Sequence, residues 1–388
     1  MASTKDLPPE MLQMIFSLCS ASDLLNSVQY VSNKWRESVL SPLVWKNKTF
    51  PISSTYNLDE LKLRLSDLPF LKNVSLDDVS MDGISLLCDS CPSLQRVFLN
   101  YGDPKVLESV TSRLMCLTYL DICFHICCKL EVIFQECAFS FPSLLSTAIF
   151  QKCTTDGTVP LALLNSCQFL EHLAVLFFDC DIKAELSLKE KDSVTKTPGK
   201  HNLRSIYLCG ATLCNRNLMN VITQYPDIRL LALKHNVFDD SDVQGTLFMK
   251  PQPNIVFLDL SYSFKSSADA LVTVIKACPN LEFLLLRRSC VDDKVLEVII
   301  NSLNKLQYLN LHGTQITSQH FLSMPEKLPK LTALNLCVCR RIDPHVLIEL
   351  VNLMPELHIV KPRGGSVRGA KASEIPYQFQ EERNVLKY

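Results

Sequence analysis

Apolar residues recur in one short phrase, Leu-x-x-Leu-x-Leu, from residue 71 almost to the C-terminus. The phrase stands at Leu71/Val74/Leu76, Leu94/Val97/Leu99, Leu117/Leu120/Ile122, Leu170/Leu173/Val175 and Leu203/Ile206/Leu208. It continues at Ile228/Leu231/Leu233, Ile255/Leu258/Leu260, Leu281/Leu284/Leu286, Leu306/Leu309/Leu311 and Leu331/Leu334/Leu336. Most frames start 23 to 27 residues apart. Inside the phrase apolar and other positions alternate, which predicts a short strand with its second and third apolar residues on one face. Between phrases, stretches such as Asp293–Leu303 place apolar residues at three- and four-residue spacing and predict a helix. Pro69, Pro92, Pro142, Pro226, Pro253, Pro279, Pro329 and Pro355 each lie two residues before a frame start. Proline there cannot extend the preceding helix and turns the chain into the next strand.

A fixed period of this size carrying this phrase is the signature of a leucine-rich-repeat solenoid, because no single unit can bury its own apolar face. The expected fold class is α/β: a small helical module, then a horseshoe with parallel strands on its concave face and helices on its convex face. The solenoid is expected over 71–360 with about twelve repeats, after a linker or N-terminal cap over 51–70. Two registers compete near residue 144, Leu144/Thr147/Ile149 and Leu145/Ala148/Phe150, and a slip of one residue would reverse the faces. A frame at Leu357 is partial. Leu170 and Leu203 lie 33 residues apart, so the polar, lysine-rich stretch 183–201 reads as a loop extruded from one repeat. After 361 the periodicity stops. The glycine-rich, basic start of that tail is expected to be flexible, and its end, with Tyr377, Phe379 and Tyr388, to dock on the last repeat or the concave face.

The first fifty residues follow a different pattern. Asp6 and the prolines after it are helix-entry signals, with Leu12, Ile15, Phe16 and Cys19 on one face of the helix. Ser22 is read as a second cap, ahead of a face of Leu24, Leu25, Val28 and Val31. Val31, Trp35 and Val39 form a third face, and Ser41-Pro42 starts a last turn with Leu43 and Trp45. A bundle this short exposes much apolar surface, and both tryptophans of the chain lie within it. A helical docking module for another protein is expected.

Composition narrows the chemistry. A net charge of −1 argues against nucleic-acid binding driven by bulk electrostatics. No secretory signal is read at the N-terminus and no membrane span elsewhere. Seventeen cysteines then point to reduced, mostly buried thiols and to the cytoplasm or nucleus. Cys88 and Cys91 form a lone CxxC, and Cys116, Cys123, His125, Cys127 and Cys128 cluster only in sequence, so no metal or other cofactor is expected. No catalytic motif is present, and no enzyme is expected. Thr197-Pro198 is a weak signal for a proline-directed kinase.

Residues 7–50 resemble an F-box, through Leu7-Pro8…Glu10, Leu12, Ile15-Phe16, Asp23-Leu24, Val31, Trp35-Arg36 and Leu43…Trp45. Ser32 stands where that family often has cysteine, and the basic pair before Trp35 is reduced to Lys34. The order of F-box then repeats resembles the leucine-rich-repeat class of F-box proteins, over about residues 6 to 360. That resemblance implies a receptor subunit of a Skp–cullin–F-box ubiquitin ligase. The F-box would hold the Skp adaptor, and through it a cullin, while the repeats hold the protein to be ubiquitinated. Carried over by position, Leu7, Pro8, Ile15, Leu24, Val31, Trp35, Leu43 and Trp45 are adaptor-facing or shape the module. The competing reading is a repeat scaffold or inhibitor that acts without ubiquitin transfer.

Positions beside the inward phrase residues face the concave sheet. Phe257, Phe283 and Tyr308 share one position in three successive repeats and are expected to form a column of rings, either a stabilising ladder or a partner-binding hot spot. Asp259, Arg287 and His312 beside it would add polar specificity.

Overall fold

The computed structural model describes residues 7–100, 103–130, 141–154, 158–176, 202–209, 225–235, 248, 250–263, 268–361 and 365–370. Asp6, the loop 183–201 with Thr197-Pro198, and the tail end with Tyr377, Phe379 and Tyr388 lie outside the described residues. The chain divides into two compact units, one through Ile182 and one essentially from Asn202 onward.

The first unit opens with four helices: α1 (Pro9–Leu18), α2 (Ala21–Asn26), α3 (Asn33–Val39) and α4 (Pro42–Trp45). Pro9 enters α1 directly behind Pro8, and the Met11 and Leu12 amides both donate to the Pro8 carbonyl at 3.1 Å. Ser20, not Ser22, caps α2: its hydroxyl accepts from the Asp23 amide at 3.0 Å. Ser32 caps α3 in the same way, through the Trp35 amide. Lys48 Nζ donates to the Ser17 carbonyl at 2.7 Å and also to that of Cys19, satisfying orphan carbonyls where α1 ends.

The repeats follow at once. Strands β1 (Phe50–Ser53), β2 (Asn73–Asp77), β3 (Arg96–Asn100), β4 (Tyr119–Lys129), β5 (Thr147–Thr154) and β6 (His172–Leu176) pair in parallel, each with the next. Helix α5 (Leu58–Asp67) returns the chain from β1 to β2. The stretch 51–70 is thus itself a strand–helix unit, although its Leu-x-x-Leu-x-Leu, at Leu58/Leu61/Leu63, falls in the helix and not in the strand. The register near 144 is Leu145/Ala148/Phe150, with Leu120 opposite Ala148 and Ile122 opposite Phe150. All three are buried, whereas Leu144 is exposed. Proline spacing favours the other register, and the turn hydrogen bond explains why it misleads. Most frame-start amides donate to the carbonyl three residues back, as from Leu94 to Cys91 and Leu331 to Leu328, and in this repeat that carbonyl is Pro142's.

The second unit contains β7 (Ser205–Leu208), β8 (Leu230–Ala232), β9 (Phe257–Asp259), β10 (Phe283–Leu285), β11 (Tyr308–Asn310), β12 (Ala333–Asn335) and β13 (His358–Val360), again parallel and in sequence order. Its helices include α6 (Ala268–Ala277), α7 (Asp293–Ser302) and α8 (Pro344–Leu353), whose buried faces match the three- and four-residue spacing. Asp292 caps α7, its carboxylate accepting from the Val295 amide at 3.0 Å.

Eight residues into three of the frames, a small hydroxyl or thiol ties the turn to the repeat before it. Ser263 and Ser289 donate to the Leu233 and Leu260 carbonyls, and Cys339 Sγ to that of Leu311. Three of the strands end in a side chain that accepts from the amide two residues on: Asp259 from Ser261, Asn310 from His312 and Asn335 from Cys337. The next position turns left-handed, with φ of 58° at His235, 63° at Tyr262, 48° at Arg288, 71° at Gly313 and 66° at Val338. Its amide carries the hydrogen-bond ladder one step beyond the strands, as from Tyr262 to the Arg287 carbonyl at 2.8 Å.

The start of the tail is not a free end. After the turn at Gly365 (φ 71°), β14 (Ser366–Arg368) runs antiparallel to β13 and covers the edge that a further parallel repeat would occupy. The Gly369 amide then donates to the Leu357 carbonyl at 2.8 Å, and a Cβ on Gly369 would lie 2.4 Å from the Pro355 carbonyl oxygen. Only glycine allows that approach.

Candidate protein-docking sites

Helix α1 is apolar on two faces. Leu12 and Phe16 turn inward, where the Phe16 ring meets that of Trp35 at 5.1 Å. Met11, Met14, Ile15 and Leu18 turn outward, with Met14 72% and Leu18 88% exposed. Tyr30, Val31 and Leu43 are further exposed large apolar side chains of the module, Leu43 at 67%. This concentration of outward apolar residues is a docking surface in physical terms, since burying a residue such as Leu or Met is worth about 1.5–3 kcal/mol.

The eight F-box positions picked from the sequence divide by burial. Pro8, Ile15, Val31 and Leu43 lie at the surface, and Leu7 and Trp35 are half-buried. Leu24 and Trp45 are core residues, which places them among those that shape the module and not among adaptor-facing ones. Trp45 is 1% exposed, its indole N–H donates to the Val39 carbonyl at 2.9 Å, and its ring meets Phe50 of β1 at 5.6 Å. Both the burial and the filled hydrogen bond explain why tryptophan stands there. Met11, Met14, Leu18 and Tyr30 were missed. The run Met11–Leu18 is apolar nearly all round, which in a helix at the outside of so small a module already signals a second buried face.

On the sheet of the second unit, Phe257, Phe283 and Tyr308 are in register across β9, β10 and β11. The Phe257 and Phe283 rings lie 6.3 Å apart, and Phe283 packs against the buried pair Tyr308 and Ala333. The column is not an open surface, however. Phe257 and Tyr308 are buried, Tyr308 at 3%, and burial pushes the Tyr308 phenol up to about 12. Asp259 is also buried, and one carboxylate oxygen is engaged by the Ser261 amide, so it shapes the strand end. Of the six sheet positions, Phe283, Arg287 and His312 retain partial exposure.

Those three adjoin a basic and aromatic cluster that sequence reasoning did not assemble. The His235 and Tyr262 rings stack at 4.3 Å. Lys234 Nζ lies 6.0 Å and the Arg287 guanidinium 5.9 Å from the Tyr262 ring centre. His312 is held below its usual pKa by burial, then by the charges of Arg287 and Arg288. The left-handed turn at Tyr262 and Arg288 brings these side chains together, and no single-repeat pattern announces it. A polar groove of about 470 Å³ also runs along the starts of the strands, between Arg204, Arg229, Glu282 and Lys305.

Cys88 and Cys91 are buried thiols whose pKa values burial raises to about 11. Among the described residues no three His, Cys, Asp or Glu side chains converge as metal ligands, and no helix is long and apolar enough to cross a membrane.

Residues 4–51 match the F-box-like family model. F-box proteins are typically non-catalytic adaptor subunits, and F-box domains in general bind a Skp adaptor. Among solved structures, the chain is similar to that of the yeast Rad7 and Elc1 complex, with 14% identity, TM-score 0.43 and coverage of 91% of this chain and 92% of that one. An internalin (inlF) of Listeria monocytogenes str. 4b F2365 gives 13% identity, TM-score 0.44 and coverage of 90% and 93%. The complex of TLR13 with ssRNA13 gives 17% identity and TM-score 0.41, over 81% of this chain but 37% of that one. No curated protein matches the sequence. The chain carries an F-box-like domain over residues 4–51, followed by parallel strand–helix repeats built on the Leu-x-x-Leu-x-Leu phrase of leucine-rich repeats.

Proposed function

We propose that this chain is a substrate-recognition subunit of a Skp–cullin–F-box type ubiquitin ligase. One observation carries the reading: an F-box-like domain with a large unpartnered apolar surface on Met11, Met14, Ile15, Leu18 and Leu43. In this reading the Skp adaptor covers that surface, with Leu7, Pro8, Val31 and Trp35 at its margin, and a cullin joins through the adaptor. The repeats behind it hold a protein substrate, and ubiquitin transfer takes place on another subunit. Phe283, Arg287 and His312 are the sheet positions that keep surface for a partner.

The test is affinity purification of wild type beside Leu18→Asp/Leu43→Asp. Both positions are exposed, so the double variant is expected to stay folded while losing the Skp adaptor and any cullin. Equal recovery of the adaptor by both forms would remove the assignment. Adaptor without cullin in the wild type would favour a scaffold that works without ubiquitin transfer.

A further inference from the structure

The strands of the first unit turn a second set of side chains to the face opposite the core. Arg96 stands across from Tyr119, and Phe98 across from Asp121, with Ile149 on the far side of Asp121. Val97, Leu99, Leu120 and Ile122, which alternate with them, are buried, so these side chains share the other face. The Phe98 and Tyr119 rings lie 5.1 Å apart, and both keep part of their surface. The guanidinium of Arg96, an exposed residue, lies 4.6 Å from the Tyr119 ring centre. Asp121 is half-buried beside Phe98, Gln151 Nε2 donates to its Oδ1 at 2.6 Å, and burial raises its pKa. Among the described residues no cation pairs with Asp121, and it and Arg96 act on the Tyr119 phenol with opposite sign. The strand stretches around the site, 71–78, 93–100, 116–124 and 145–154, all lie within the described residues.

Asp121 is thus a carboxylate in partly apolar surroundings whose hydrogen-bond donor is a neutral amide. A cation would hold it more strongly than that amide does, because the attraction is less screened there than in open water. The Phe98 ring alongside offers a face for the stem and charge of the same cationic side chain. From this geometry we infer that Phe98, Tyr119 and Asp121 form a docking site for a polypeptide segment that presents one basic side chain. Its charge meets Asp121, and its apolar neighbours pack on the two rings. Arg96, held over Tyr119, bounds the site and disfavours a run of several cations. The inference rests on the reading that the repeats bind a polypeptide, and it names the chemical class of that partner.

The experiment is fluorescence anisotropy of the full chain with a short labelled peptide that carries one lysine between two phenylalanines. Versions with glutamine or glutamate in place of the lysine are measured beside it. Saturable binding of the lysine peptide alone is expected. Asp121→Asn keeps the shape and the Gln151 contact, and loss of the charge-assisted contact should weaken binding about tenfold. Phe98→Leu should weaken it as well. Asp59→Asn/Asp82→Asn removes two exposed carboxylates from the helices of the same unit and should leave binding unchanged. The inference is overturned if wild type does not bind the lysine peptide or if either replacement peptide binds equally. It is also overturned if the Asp59/Asp82 variant loses as much as Asp121→Asn. Failure of the ligase reading would look different: a wild type that binds the lysine peptide but recovers no Skp adaptor.

Discussion

The outer face of α1 and the aromatic column of the second unit carry similar side chains in opposite circumstances. Met14, Ile15 and Leu18 stand in solvent, whereas Phe257 and Tyr308 are buried. A helix in a module of about forty-five residues can bury one face on its own core, because so small a core cannot wrap both. Rings at equivalent positions of neighbouring repeats have one another as neighbours, since strands lie about 4.8 Å apart whatever else the protein binds. Aromatic residues in a column therefore mark a way of filling a sheet face, and exposure rather than residue type marks the place where a partner is missing.

The largest effects fall on buried members of each region. Trp45→Ala removes the ring packed on Phe50 and leaves the Val39 carbonyl without its donor. It should cost roughly 3–5 kcal/mol in urea denaturation and abolish adaptor binding through unfolding of the module. Tyr308→Ala should cost roughly 3–5 kcal/mol of the second unit's stability, because the ring is in the core of the sheet face. A Tyr308→Ala protein of undiminished stability that no longer binds its partner would break the comparison and restore the column as a hot spot.

At the surface the signs reverse. Leu43→Asp should leave the melting temperature nearly unchanged while weakening adaptor capture by about 2 kcal/mol or more, the range of an interface anchor. Gly369→Val forces a Cβ onto the Pro355 carbonyl and should cost about 1–3 kcal/mol, read as faster amide exchange in β13. The smallest effect concerns pH. His312 has a folded pKa below 6.5, so the folded state binds fewer protons than the unfolded chain, and stability declines as pH falls through 6.5 toward the folded value. His312→Gln should remove that slope from denaturation midpoints measured across the same interval, and an unchanged slope would assign it to other groups.

Most of the architecture could be read in advance, because the phrase obeys local rules. Val74, Leu76, Leu309 and Leu311 are buried as alternation requires, and β2 to β6 and β7 to β13 pair in sequence order. The F-box match over residues 4–51 was legible from Leu7-Pro8, Ile15-Phe16 and Trp35. Finer choices were not. Leu144 and Leu145 are both apolar and both follow Pro142, and the turn hydrogen bond to the Pro142 carbonyl decides between them. Gly365 and Gly369 looked like marks of a flexible tail, yet one makes the turn into β14 and the other a close backbone approach.

What the sequence determined by itself is the repeat: its strand, its helix and the apolar residues that face inward. Periodicity alone specifies those, since each unit can bury its stripe only against the next. The tertiary structure decided which remaining side chains are surface. Trp45 and Leu43 lie two residues apart, and one is core while the other is exposed. Arg287 and Lys234 approach the same Tyr262 ring only because successive left-handed turns stack at one edge of the sheet. Exposure and cross-repeat contact depend on residues distant in sequence, and no local pattern encodes them.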